Sequence, residues 1–394
     1  MEYNSYKNFT QFDSNIINAT VLKYYTKEKE NSRYQVLKLK TDQHFTLYIT
    51  TKKEYKDIVG RDISLEIYTK KLTFYNYLTS YFSYYKHFKI KEHQSYKKYF
   101  EDYLQRVHSN KDVASFYMAI YSARALDKEL QMQLSNLGIS HLVAISGFHL
   151  GVLTTLLYFL IKFPFKFFQK RYFPHRNAKI DSFFLVAILL LGYLLFLDSP
   201  ASLLRSFAMF FIAFVLYDRG VEILSIQTLY LTIFLLLALF PRLLFEVGFW
   251  LSVSGVFYIF LYLIHFKDLN KYFSIFAISL WVYMMMLPYS LVLFENFSLF
   301  HPLSVLLSIA FTLFYPLSIL LHFVGFGDIF DSYLNILFTI KTQSISLEFS
   351  KPLLGVFMVL SLLSVKNKLA FYGVGFFGSL TLFYALYKIM LKSF

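Results

Sequence analysis

Two hydropathy patterns divide the chain near residue 140. Before it, apolar and polar positions alternate in short runs. After it, apolar stretches approach the length of a bilayer crossing. Alternation with a period of two marks strands that bury one face. Between residues 16 and 68 the runs I-I-N-A-T-V-L-K-Y, Y-Q-V-L-K-L-K, F-T-L-Y-I-T and I-S-L-E-I-Y predict four such strands. Residues 53–58, closed by Gly60, predict a single helical turn before the fourth. That order over residues 1–72 fits a small β-barrel of the OB type, with a β-sandwich fragment as the competing fold.

Residues 73–140 read as a connection. Its first part is dense in rings and lysines: Tyr75, Tyr77, Tyr81, Phe82, Tyr84, Tyr85 and Phe88 interleave with Lys86, Lys89, Lys91, Lys97 and Lys98. An amphipathic helix at the lipid headgroups would use the tyrosines as anchors and let the lysines snorkel. Rings that stack bases beside lysines that meet phosphates would serve a single nucleic-acid strand. Plain barrel packing is the third reading. Tyr81, Tyr84, Tyr85, Lys86 and Lys89 are the candidates on this surface. Residues 111–135 predict an ordinary polar helix.

From residue 141 to 394 the pattern predicts eight or nine membrane segments at about 20 residues per crossing. They fall at 146–163, 182–198, 201–217, 224–243, 246–264, 273–294, 302–324, 353–365 and 369–390, the eighth being short. Residues 328–348 are amphipathic and predict a surface segment. Lys162, Lys166, Lys170, Arg171, Arg176 and Lys179 crowd the first loop, and Lys267 and Lys271 share its side. The positive-inside rule puts these in the cytoplasm and the amino-terminal domain outside, as a multi-pass protein of the cytoplasmic membrane. Nothing before residue 140 reads as a signal peptide or anchor, so either the true start lies upstream, or the chain is a fragment, or the orientation is reversed, and truncation is the expectation.

Composition supports the membrane class: 56% of the 394 residues are hydrophobic, with 47 Phe and 33 Tyr. The net charge of +14 divides evenly, with 22 basic and 15 acidic groups before residue 141 and 17 and 10 after it. A basic balance suits a polyanion or anionic lipid, although a positive-inside surplus and a solvated surface account for it as well. The absence of cysteine excludes disulfides, thiolate metal sites and a cysteine nucleophile.

Residues 141–151, H-L-V-A-I-S-G-F-H-L-G, hold the densest candidate chemistry. His141, Ser146, Gly147 and His149 interrupt an apolar run. A helix broken in this way lines a polar path, and its amino-terminal end favours anions. Arg205 stands a few residues into another apolar run, where a guanidinium faces a partner or a water-filled cavity. It binds phosphate with two donors. Snorkelling, or pairing with Asp198 or Glu246, is the structural reading. Trp250 and Ser252 share a third run, where Trp250 is either an interfacial anchor or a stacking platform. Ser146 also admits an intramembrane serine hydrolase, with His141, His149, His301 or His322 as base, but no G-x-S-x-G surrounds it. His141 and His149 are eight residues apart, which disfavours a metal pair, and no metal or cofactor is expected.

The string at 141–151 closely resembles the signature of the ComEC-type competence proteins. S-P-A-S-L-L-R-S-F-A-M (199–209), F-E-V-G-F-W-L-S-V-S-G-V (245–256) and N-F-S-L-F-H-P-L-S (296–304) are similar to further segments of that family, with Ser304 where an Asn is common and a later Pro missing. The resemblance implies an inner-membrane channel that passes single-stranded DNA into the cytoplasm. It also implies a separate motor ATPase or helicase and a DNA-receptor protein as partners. No G-x-x-x-x-G-K-[ST] loop occurs in this chain. Longer members carry a metallo-β-lactamase-like domain with an H-x-H-x-D-H motif, which does not occur here, so the resemblance implies no nuclease. A carrier of anionic lipid or small anions is the remaining alternative, for which Arg205 would also serve.

Overall fold

The computed structural model describes residues 2–393 except 30–31, 44, 54, 56–57, 91–95, 174, 176, 198–200, 220–224, 267–268 and 341. The chain forms two compact units, Met1–Arg106 and Val107–Phe394.

The first unit is built on a six-stranded sheet. Its elements are α1 (Glu2–Phe9), β1 (Ser14–Lys29), β2 (Ser32–Thr41), β3 (Thr46–Thr51), β4 (Asp62–Tyr68), α2 (Phe74–Leu78), β5 (Ser80–Phe82), β6 (Tyr85–Ile90) and α3 (Tyr96–Val107). The strand order is β5-β3-β2-β1-β4-β6. β1 is shared: Ser14–Thr20 pair with β4, and Ala19–Lys29 pair with β2 across a register shift between Val21 and Lys23. Burial alternates residue by residue along β3 and β4, as the period-two pattern requires. Ile17, Leu37, Leu39, Leu47, Ile49 and Ile67 line the core, closed by Phe45 and Tyr77 with ring centroids 5.6 Å apart. Each such large side chain contributes roughly 1.5–3 kcal/mol by leaving water.

Four strands therefore lie where the alternation predicts them. Residues 54, 56 and 57 of the predicted helical turn lie outside the described residues, and its neighbours 53, 55 and 58 are not helical. Residues 74–90 differ from the expected helical connection: they supply α2 and two further strands. β5 pairs in parallel with β3, placing Tyr81 opposite Leu47, and β6 pairs antiparallel with β4. The physical reason is visible in burial: Tyr81 and Ser83 point in while Phe82 and Tyr84 point out, a strand period that the density of rings conceals.

The second unit is helical. It comprises α4 (Lys111–Ser122), α5 (Lys128–Asn136), α6 (Ser140–Val143), α7 (Gly147–Tyr172), α8 (Ala178–Phe196), α9 (Ala201–Asp218), α10 (Ile226–Leu239), α11 (Val247–His265), α12 (Lys271–Phe294), β7 (Asn296–Ser298), α13 (Ser304–Val324), α14 (Asp331–Thr339), β8 (Ser344–Ser346), α15 (Lys351–Leu363) and α16 (Lys368–Ser393). Among the described residues six helices are long and apolar enough to cross a membrane: α7, α8, α11, α12 over Phe273–Phe294, His301–Val324 including α13, and α16 over Lys368–Leu391. Ser206–Leu216, Ile226–Leu239 and Lys351–Leu363 are apolar but shorter. All nine predicted segments thus fall on helices, and six reach crossing length. Their outer faces stay apolar, with Phe323 88% and Phe159 61% exposed, as lipid contact requires.

The polar helix expected over 111–135 is instead two elements. α4 ends at Ala123, whose φ of 57° is left-handed, and it buries every residue from Val113 to Ser122 except Ser115. The amphipathic stretch 328–348 forms α14 and β8, and β8 pairs with β7.

Candidate functional site

The interrupted motif folds as a short helix, a link and the start of a long helix. Ala144 and Ser146 are extended, so the chain leaves α6 and re-enters helix at Gly147. Ser146 caps α7. Its hydroxyl accepts from the backbone N–H of His149, and its own N–H donates to His149 Nδ1 at 3.2 Å. This reciprocal box satisfies helix-end donors that lipid could not. Ile145 and Leu150 pack with Val186, Leu190 and Leu194 of α8 and Leu203 of α9, which anchors the break.

Gly147 is where α7 meets α9. A Cβ added there would lie 3.0 Å from Ser206 Oγ. Gly147 therefore brings the break against the residue that follows Arg205. The Arg205 side chain lies outside the described residues, as do Asp198 and the loop at 199–200. Ser206 also borders a small cavity of about 20 Å³ between α9, α10 and α11, with Thr232 and Ser252 among its lining. That volume suits one water held by hydroxyls. Ser252 thus joins the group through Ser206. Trp250 does not: its indole is 42% exposed and donates to the Leu244 carbonyl at 2.9 Å, closing the turn before α11.

The two motif histidines face α13. His141 Nε2 lies 3.2 Å from Ser308 Oγ. His149 is 1% exposed, edge-on to Phe311 and Tyr315 at 5.5 and 4.8 Å. With Nδ1 accepting from Ser146, neutral His149 carries its proton on Nε2, which is buried without a hydrogen-bond partner beside the Leu142 carbonyl. The Ser146 hydroxyl is 3.3 Å from His149 Nδ1. His301, the other candidate base on this side, holds the Ser135 carbonyl at 2.9 Å instead. Among the described residues no group of three potential metal ligands occurs.

In the first unit the candidates separate. Tyr81 is a core residue whose hydroxyl donates to the Tyr68 carbonyl, and burial pushes that phenol up. Tyr85 packs half-buried against Phe88, with ring centroids 5.7 Å apart. Tyr84 is 71% exposed, and Lys89 is exposed as well. Lys86 is tied down: its ammonium lies 3.1 Å from Glu66 and 5.1 Å from the Tyr68 ring centroid. The hydrogen bond from Ser14, then that from Lys86, holds the Glu66 carboxyl below the usual range. Tyr81 therefore leaves the surface, while Tyr84 and Lys89 remain on it.

A cluster that motif reasoning did not single out lies at the start of the second unit. His108, 3% exposed, stacks on Tyr117 with centroids 4.2 Å apart, and its Nδ1 lies 2.8 Å from Asp331. In the sequence His108 is a lone histidine eight positions ahead of the apolar run F-Y-M-A-I-Y, while His322 stands out only as one of several candidate bases.

Apolar-faced helices of crossing length, interrupted by the capped break at Ser146, define a multi-pass membrane protein. Residues 121–391 match the family described as competence protein, and the chain belongs to that family, of the ComEC type associated with DNA uptake. Comparison with curated proteins and with solved structures gives no match.

Proposed function

We propose that this protein is the cytoplasmic-membrane channel through which one strand of DNA passes during transformation. The observation that carries the reading is the contact between Gly147 and Ser206: it puts a polar helix break against the helix turn that bears Arg205. A guanidinium at such a place meets phosphate with two donors. His141, Ser146, Gly147, His149, Arg205 and Ser252 are the path residues on this reading. Trp250 serves as an anchor. The amino-terminal unit lies outside the membrane, and a separate motor and a DNA receptor act with the channel.

The same unit is read as an OB-like barrel that receives the strand. In its support, β5 and β6 lie at opposite edges of the strand order yet are joined by two residues, Ser83 and Tyr84. A flat sheet of six strands at about 4.8 Å spacing would part its edges by roughly 24 Å, and two residues reach about 10 Å at most. Such a sheet has to curl. Tyr84 and Lys89 would then offer a ring and a charge to a base and a phosphate.

The test is transformation by variants of Arg205. Arg205→Ala and Arg205→Glu should lower it by on the order of a hundredfold with normal amounts of inserted protein. Arg205→Lys should recover part, since it keeps the charge and loses the fork. Wild-type transformation by Arg205→Ala would refute the assignment. One observation favours a second reading, an intramembrane hydrolase: the 3.3 Å contact of Ser146 with His149. Labelling of Ser146 by a serine-directed phosphonate would establish it. An anion carrier would require flux of small anions without DNA, again dependent on Arg205.

A further inference from the structure

Three short contacts run in series behind the amino-terminal end of α4. Asp331 Oδ1 lies 2.8 Å from His108 Nδ1, His108 Nε2 lies 3.1 Å from His322 Nε2, and His322 Nδ1 lies 2.7 Å from the Ser318 carbonyl. At these lengths each contact needs one hydrogen between its two heavy atoms. The carbonyl brings none, and an ionised carboxylate only accepts. Two neutral imidazoles bring one hydrogen each. The series is therefore one proton short, and the third comes from a second protonation of a ring or from the Asp331 carboxyl.

We propose that Asp331, His108 and His322 form a single-proton clasp that closes the start of α4 onto α13 and α14, and that the clasp opens when the proton leaves. The surroundings suit it. Tyr117 covers one face of His108 with the planes 8° apart, and Tyr121 meets His322 edge-on at 5.4 Å. Both phenols are pushed up by burial and stay neutral. Asp328, in the turn before α14, adds a second negative charge toward both rings. Gly327 lets that turn reach the ring, since a Cβ there would lie 2.7 Å from His322 Cδ2. Asn110 donates to Asn335 at 2.7 Å, a second tie between the start of α4 and α14.

A metal ion between the two Nε2 atoms fits less well. No third ligand of the usual kind joins them among the described residues. A tetrahedral zinc with bonds of about 2.0–2.1 Å would also hold the nitrogens roughly 3.4 Å apart. Burial pushes the His108 imidazole down, while the Asp331 carboxylate pulls it back up. Burial is the larger effect and leaves the imidazole below its ordinary value, so the third proton is lost as pH rises. The clasp does not rest on the DNA reading.

The test uses the full, cysteine-free chain in phospholipid nanodiscs, with nitroxide labels at Lys111→Cys and Ser332→Cys, both exposed. Dipolar broadening should be strong near pH 5 and reduced near pH 8, through a one-proton transition. Asp331→Asn should remain broadened at both, because its amide donates the third hydrogen to a neutral His108. His108→Phe, which keeps the stack on Tyr117, should lack the broadening at both. Broadening in the unaltered clasp that ignores pH would overturn the proposal. So would an Asp331→Asn variant that follows the unaltered protein. Broadening near pH 8 that grows with added zinc and falls with EDTA would replace the proton by a metal.

Discussion

Gly147 has no room for a side chain on its α9 face. With a Cβ already 3.0 Å from Ser206 Oγ, Gly147→Leu displaces that hydroxyl and crowds α9 at the break. Transformation should fall steeply while Ser146→Ala, which removes a cap contributing about 0.5–2 kcal/mol, stays mild. A Ser146→Ala variant without activity but of normal abundance would point to the hydroxyl itself. Glu66 makes a second prediction. Its carboxyl is lower in the folded chain, so its contribution is present above the ordinary value of 4.5 and fades as pH falls through the lowered one. In Lys86→Ala that acid-side loss should shrink, read by nuclear magnetic resonance titration of Glu66. Much of this was legible at residue scale: Ser146, Gly147 and His149 stand out because polar groups and glycine interrupt an apolar run. His108 did not stand out, since its partners Asp331 and His322 lie more than 200 positions away.

At the scale of elements, the β5–β6 segment separates two kinds of signal. The four strands between residues 14 and 68 alternate with aliphatic residues, which few helices tolerate. Residues 80–90 alternate with aromatics that suit a strand, an interfacial helix or a stacking surface equally well, and only pairing with β3 and β4 decides between them. Membership of Tyr81 in the core is a consequence of that pairing. Phe45→Ala, which empties a site against Tyr77 and Phe9, should destabilise the amino-terminal unit by about 3–5 kcal/mol. Urea unfolding of the segment 1–106 checks this. The same segment should bind oligo-dT with affinity that falls steeply as salt is added, and Tyr84→Ala should weaken it. Binding only to anionic liposomes would leave the unit as a membrane anchor.

Across the whole molecule, nine apolar segments were readable because length and hydropathy are properties of the chain alone, whereas the burial of α4 is a property of its neighbours. Orientation is checked by single cysteines placed in this cysteine-free chain: Tyr84→Cys should react with an impermeant maleimide from outside, and Lys170→Cys should not. Burial of α4 has a consequence in time. Tyr121 donates to Ser318, 197 positions later, and Asn110 to Asn335, 225 positions later. Translation at about 5–20 residues per second reaches those partners roughly 10–45 s after α4 has been made. Through that interval a helix with nine buried residues, too short to cross the bilayer, waits with only the cover of α6 and α8 beside the translocation machinery. Synthesis of this protein therefore contains a built-in delay, and shortening it by fusing α13 and α14 ahead of α4 would be expected to raise the yield of folded chain.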